Sequence, residues 1–196
     1  MTTTSTSGDH RIIVVGPSCS GKSTLAESLA GLLDVPFVEL DALYWKPGWT
    51  HPTDDEFRAN LCQATAGDGW VVAGGYHRHS SLITWPRAQM VVWLDFPMRT
   101  IVPRIIARSW KRWRSHELLW GTNTEDFWSQ LKIWDQRSLI AFAFTQRRTN
   151  RERYIAAMAD PQWAHIRFVR LRSPREIRDF VHAFAQVLSA ASTSHR

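Results

Sequence analysis

The run GPSCSGKST, residues 16–24, follows the apolar stretch RIIVV and precedes LAESLAGLL. Gly16, Gly21, Lys22 and Ser23 satisfy the spacing G-x-x-x-x-G-K-[ST] in the setting that gives the pattern meaning, behind a strand and opening a helix. The glycines let backbone wrap closely around a phosphate, and successive amides at the helix start direct positive charge inward. In such a cradle Lys22 reaches the β and γ phosphates and the Ser23 hydroxyl sits on Mg²⁺, with Ser20 and Thr24 as further phosphate contacts. Given ordinary glycine usage, a chance match arises in fewer than about one chain of this length in a hundred, so a bare glycine-rich turn is a poor account. Cys19 occupies a free position of the loop and reads as a small filler residue, although the same field could acidify its thiol.

Five β-type runs recur along the chain: RIIVV (11–15), VPFVEL (35–40), WVVA (70–73), MVVWL (90–94) and IRFVRL (166–171). Their apolar residues are consecutive more often than alternating, as in strands covered on both faces. Helical stretches separate them in the order β-α-β-α-β-β-α-β-α, which predicts a doubly wound, mostly parallel α/β sheet. The first helix is expected from Gly21 or Lys22 to about Leu33, with Leu25, Leu29 and Leu32 toward the sheet. Thr53-Asp54-Asp55-Glu56 fits a capping box, a structural reason for those acids.

A length of 196 residues fits one domain, placed at residues 10–188 with polar tails at 1–9 and 189–196. No run approaches the roughly eighteen apolar residues of a membrane span, so no membrane partner is expected. Cys19 and Cys62 provide neither a disulfide framework nor metal-ligand spacing, which points to a cytoplasmic protein. The net charge of +6 favours anionic partners without choosing among nucleotides, sugar phosphates and nucleic acid. Most of the eleven tryptophans are expected as core or groove walls.

Between the fourth and fifth strands, residues of about 104–150 exceed a simple crossover and are read as a helical lid. Ile101, Ile105, Trp110 and Trp113 form one face of a helix over 100–114, while Arg104, Arg108 and Arg112 recur on another. Pro103 fits there if Thr100 is the N-cap. RSHELLWGTN (114–123) reads as the turn of a flap, Phe127, Leu131, Trp134 and Phe142 as a following helix, and 151–158 as a third segment.

After the second strand comes ELDALYWKPGW (39–49), with Glu39 and Asp41 expected on one side of an extended segment at the C-terminal sheet edge. The P-loop, LDALYWKPGW, Gly-Gly-Tyr after a strand, VVWLDFP, an arginine-rich helix and a final RLRS together resemble adenylate-kinase-like P-loop proteins often labelled DNA topology modulation proteins. The resemblance covers roughly residues 11–185. It implies a nucleoside monophosphate kinase-like three-layer fold, a five-stranded sheet in the order 2-3-1-4-5, a helical lid and ATP as phosphate donor. It supplies no acceptor. In related shikimate and gluconate kinases an aspartate after the second strand positions the acceptor hydroxyl, and Asp41 matches that place, as general base or hydroxyl anchor. A plain turn cap is the alternative.

Relatives carry a Walker-B-like Asp-Gly after the third strand, where this chain has Ala73-Gly74-Gly75-Tyr76. Either Ser23 with Asp41 carries the metal, or phosphotransfer is weak. Asp95 superficially looks like Walker B, but on strand 4 a structural or capping role is expected. Tyr44, Trp45, Trp49 and Tyr76 are candidates for an aromatic acceptor wall, Gly75 for close backbone approach, and Arg78 for gripping an anionic acceptor. His77 and His79 lack a third metal ligand. Kinases of this fold supply arginines from the helix before the lid, which selects Arg108 first and Arg104 second for catalysis. Arg172, in the loop after the last strand, is a candidate for stacking on adenine. The expected function is thus MgATP-dependent transfer to a small-molecule or nucleotide acceptor. The rival is a nucleotide-dependent regulator that holds single-stranded nucleic acid through RSWKRWR, whose basic and aromatic residues interleave.

Overall fold

The computed structural model describes residues 10–115 and 139–193. In β1 (Arg11–Val15), Ile13 and Val15 enter one apolar cluster and Ile12 and Val14 the other, so both faces are covered. This explains the unbroken apolar run, because a parallel strand packed on both sides has no solvent face to alternate toward. β3 (Trp70–Ala73) and β4 (Met90–Leu94) repeat the pattern and flank β1, with Ile13 opposite Val72 on one side and Val91 on the other. β2 (Phe37–Glu39) and β5 (Arg167–Leu171) complete a parallel sheet in the order β2-β3-β1-β4-β5, as expected. The chain leaves β1 toward one edge and β3 toward the other, so a crevice opens at the C-terminal ends of the central strands.

α1 (Lys22–Leu33) covers one face of the sheet through Leu25, Ala26, Leu29, Ala30 and Leu33. Leu32, expected there, is 41% exposed. At 100° per residue the two alanines pull the centre of the buried arc away from it, leaving Leu32 at the edge. α3 (Asp54–Ala64) starts on the capping box: the Thr53 amide donates to Glu56 Oε2 at 2.9 Å and the Glu56 amide to Thr53 Oγ1 at 3.2 Å.

Several local expectations are corrected. Residues 40–44 are not extended but form a short helix, α2 (Leu40–Tyr44), so Glu39 ends a strand while Asp41 lies in a first helical turn. A helix, α4 (His77–Ile83), stands between β3 and β4 where none was expected. Its start carries no side-chain cap; the carbonyl of Tyr76 accepts from the amides of His79 and Ser80. With no Ser, Thr, Asp or Asn at that position, the sequence held no start signal.

α5 (Met98–Ser115) begins before Thr100, because the amides of Thr100 and Ile101 both donate to the carbonyl of Pro97. Pro103 therefore lies inside the helix, where its missing N–H deprives the Arg99 carbonyl of the usual i+4 donor. Ile101, Ile105 and Ser109 are buried, whereas Trp110 and Trp113 are 46% and 39% exposed. The true core stripe runs i, i+4, i+8, and its last place is taken by a serine too small to be read as core.

α6 (Leu139–Ala159) is continuous, joining Phe142 and the 151–158 segment into one helix. Tyr154 stacks on Trp85 and packs against Trp93 beneath the sheet, and burial pushes its hydroxyl pKa up. Of the flap expectation, Arg114 and Ser115 belong to α5; the rest, with Phe127, Leu131 and Trp134, lies outside the described residues. α7 (Pro174–Thr193) runs past residue 188, as Ala190 and Ala191 are strong helix formers. Among the described residues no helix is long and apolar enough to cross a membrane.

Candidate active site

The P-loop hangs between β1 and α1 on three left-handed backbone positions. Gly16 has φ +150°, and a Cβ there would meet the Leu94 carbonyl oxygen at 2.7 Å, so only glycine fits. Gly21, the N-cap of α1, has φ +94°, and Cys19 itself adopts φ +59°. No side chain caps α1, so its first amides are left for a ligand.

Lys22 Nζ donates to the Pro17 carbonyl at 2.9 Å, which holds the ammonium across the mouth of the loop. Burial lowers its pKa, partly offset by Asp41, Cys19 and Glu39, while Arg108 adds to the lowering. The Ser20 hydroxyl is fully buried with no hydrogen-bond partner, and the Nε of Arg108 is likewise buried and unpartnered. Orphan donors beside a glycine cradle fit a phosphate chain, since a buried donor without an acceptor is costly. Thr24 is exposed.

Ser23 Oγ donates to Glu39 Oε1 at 2.6 Å. The hydroxyl is thus bonded to Glu39, the last residue of β2, and not to Asp41, the carboxylate that one of the two alternatives for the metal pairs with it. Asp41 is held elsewhere. Its Oδ1 accepts from the Tyr76 hydroxyl at 2.8 Å, and burial together with the Asp41 charge raises the Tyr76 pKa. A site carboxylate is therefore supplied from β2 where Ala73 leaves β3 without one. The E-x-D spacing of Glu39 and Asp41 was the available signal.

Gly16, Lys22, Asp41, Tyr44, Trp45, Gly75 and Arg78 all line one cavity of about 490 Å³. The aromatic wall is continuous: Tyr44 lies 4.6 Å from Tyr76, 5.1 Å from Trp45 and 5.4 Å from Phe57 between ring centroids, and Trp45 lies 5.4 Å from Trp49. Arg78 sits on the rim, 78% exposed and 3.2 Å from Asp54 Oδ2. His79, also near Asp54 at 3.5 Å, is buried, and burial lowers the pKa of His77 with Arg153 adding to the effect. Among the described residues no group of three potential ligands could hold a metal ion in a side-chain cluster, His77 and His79 included.

Arg104 and Arg108 stand beside the P-loop, Arg108 close enough to contribute to the lowered Lys22 pKa, and do not line the cavity. Arg104 Nη1 donates to the Ser20 carbonyl at 3.3 Å, with its guanidinium 5.4 Å from the Phe96 ring centre. Arg172 lies apart, lining a second cavity; its amide donates to Glu176 Oε2 at 2.9 Å, and Ser173 and Glu176 cap α7. Asp95 is buried and accepts from Arg170 through Nε at 3.0 Å and through Nη2.

Sequence reasoning missed the contribution of α6. Arg147, Asn150, Arg151 and Arg153 line the cavity wall, supported by Tyr154. The i, i+4 spacing of Arg147 and Arg151 next to a buried tyrosine was the only local hint.

No family model matches the chain. Among solved structures it is similar to a shikimate kinase from Bacteroides thetaiotaomicron, at 16% identity and TM-score 0.52, covering 93% of this chain and 99% of that one. It is also similar to a gluconokinase from Sinorhizobium meliloti 1021, at 19% identity and TM-score 0.47, with 95% of each chain covered. The fold is that of the α/β P-loop kinases, nucleoside monophosphate kinase-like, with its five-stranded parallel sheet in the order 2-3-1-4-5.

Proposed function

We propose that this protein is an ATP-dependent phosphotransferase acting on a small, anionic, hydroxyl-bearing acceptor. The observation that carries the reading is that Lys22 of the phosphate cradle and the Asp41 carboxylate face the same cavity of about 490 Å³, between an aromatic wall and a row of arginines. Shikimate kinase, a protein of similar fold, is named for a small-molecule acceptor. MgATP, when bound, would supply the phosphoryl group.

Gly16, Ser20, Gly21 and Lys22 bind the phosphate chain through backbone amides, a buried hydroxyl and an ammonium. Ser23 and Glu39 would hold the metal that accompanies the nucleotide, the hydroxyl and the carboxylate both supplying the oxygen donors that Mg²⁺ prefers. Asp41 accepts the acceptor hydroxyl proton, or anchors that hydroxyl, with Tyr76 fixing its rotamer. Arg104, bonded to the Ser20 carbonyl, and Arg108, with a buried unpartnered Nε, are the arginines of α5 beside the P-loop that would meet the charge that spreads in the transition state. Tyr44 and Trp45, packed edge to face, give the acceptor an aromatic wall, while Arg147 and Arg151 with Arg78 make the cavity favour anions.

Transfer from labelled ATP across nucleoside monophosphates, nucleosides and hydroxylated acids tests the reading. Labelling of one class that disappears in Lys22→Ala and Asp41→Asn is expected. Transfer that survives Lys22→Ala would sink the assignment.

A second reading has its own observation. Trp110 and Trp113 are partly exposed, 5.3 Å apart, beside Lys111, Arg112 and Arg114 on α5. Such a surface could stack single-stranded nucleic acid. Binding to single-stranded DNA with a steep salt dependence that Arg112→Ala flattens, and no labelled acceptor, would favour the regulator.

A further inference from the structure

Beside the main cavity, toward the β5 edge, lies a second one of about 330 Å³. Among the described residues five arginines line it, Arg99, Arg147, Arg151, Arg170 and Arg172, against one acidic residue, Asp95. They converge from the start of α5, one face of α6 and the end of β5. No P-loop residue lines this pocket.

Two of the arginines are already committed. Arg170 is bonded to Asp95 and its guanidinium lies 4.4 Å over the Trp93 ring, while Arg151 Nε stands 3.6 Å from the same Asp95 oxygen. The side chains of Arg99, Arg147 and Arg172 have no acidic partner among the described residues. Arg147 Nε is buried without any hydrogen-bond acceptor. Like charges gathered around a single carboxylate repel, and a buried donor without an acceptor is costly, so the arrangement is complete only with an anion in it.

We propose that this pocket binds a phosphate group. A carboxylate brings one charge and two oxygens, too few for three uncommitted guanidinium forks. A phosphate dianion offers two charges and three free oxygens, each able to accept from a fork. The volume exceeds that of a bare phosphate and leaves room for an organic remainder. Because Asp95, Arg147 and Arg151 line both cavities, a phosphate held here can belong to a molecule that extends into the main cavity or stand alone.

Equilibrium dialysis of labelled inorganic phosphate against the full chain tests this without requiring turnover, so its failure is separable from failure of the phosphotransferase reading. In Lys22→Ala, with the P-loop weakened, one phosphate per chain is expected. Adding Arg99→Gln or Arg172→Gln, both at exposed positions, should weaken it about tenfold each, the scale of one charge-assisted hydrogen bond. Should Lys22→Ala not fold, the unmodified chain serves, with loss of one site in the arginine variants as the reading. No phosphate bound outside the P-loop, or equal binding with and without Arg99 and Arg172, overturns the proposal. Glycerol 3-phosphate binding more tightly than inorganic phosphate makes the anion part of an organic molecule; the reverse order makes it a free ion.

Discussion

Ser23 Oγ lies 2.6 Å from Oε1 of Glu39, tying the first turn of α1 to the last residue of β2. In the proposed reading, with no carboxylate at Ala73, this pair would hold the hydrated cation beside the nucleotide. Glu39→Gln keeps the side-chain volume and removes the charge. ATP binding without metal should stay near wild type, whereas the gain in affinity on adding Mg²⁺ should fall about tenfold or more, as for loss of a partner that supports a metal site. Calorimetric titration of ATP with and without Mg²⁺ reads the difference; an equal loss in both would count against the metal role.

Tyr76 and Asp41 form the second cross-link, between the N-cap of α4 and α2. Tyr76→Phe removes a hydrogen bond to a charged acceptor and should cost about 1.5 kcal/mol of stability in urea unfolding. In the Asp41→Asn background the same change should cost distinctly less, because the partner is neutral. In the transfer assay Tyr76→Phe should lower kcat more than it raises KM.

Lys22 gives a pH signature with a definite sign. Its folded pKa lies below 10.5 because of burial, so in the window beneath 10.5 the unfolded chain holds more protons than the folded one. Stability contributed by this group therefore rises as pH climbs through the folded pKa toward 10.5, and is lowest where lysine is charged in both states. The rise should be missing in Lys22→Met when unfolding curves of the two proteins are compared across alkaline pH. Phosphate binding should reverse the shift and be accompanied by proton uptake.

Gly74 and Gly75 separate packing from binding. A Cβ on Gly74, at φ +147°, would come within 2.6 Å of Leu40 Cβ, while one on Gly75 meets nothing within 4 Å. Gly74→Ala should therefore destabilise by about 1–3 kcal/mol through overpacking and strain, and disturb Asp41 through its neighbour Leu40. Gly75→Ala should leave the melting temperature near wild type and instead raise the KM of the acceptor, since its methyl enters the cavity. Thermal unfolding and acceptor kinetics on both variants check the contrast.

What could be read from the sequence was what local pattern encodes. The glycine spacing of residues 16–21, the doubly covered runs that became β1, β3 and β4, and the capping box at Thr53 each depend on residues a few positions apart, where backbone sterics and hydrogen-bond reach act directly. The alternation drawn through Glu39 and Asp41 failed because a helix of five residues interrupts it, too short for a periodic signal. α4 escaped notice for a related reason: it is held by packing of His79 and Trp85 into the aromatic core, with no cap in its own sequence.

The amino-acid order by itself determined a glycine-rich loop of P-loop spacing on a parallel sheet, the strand order being the one the resembling family implies. Only the tertiary structure decided which carboxylate answers which hydroxyl. Ser23 and Glu39 are 16 residues apart, Asp41 and Tyr76 35. The arginines of α6 reach the cavity from beyond β4. Pairings at such separations are set by how the layers stack and where side chains are excluded from water, and no repeat in the chain records them.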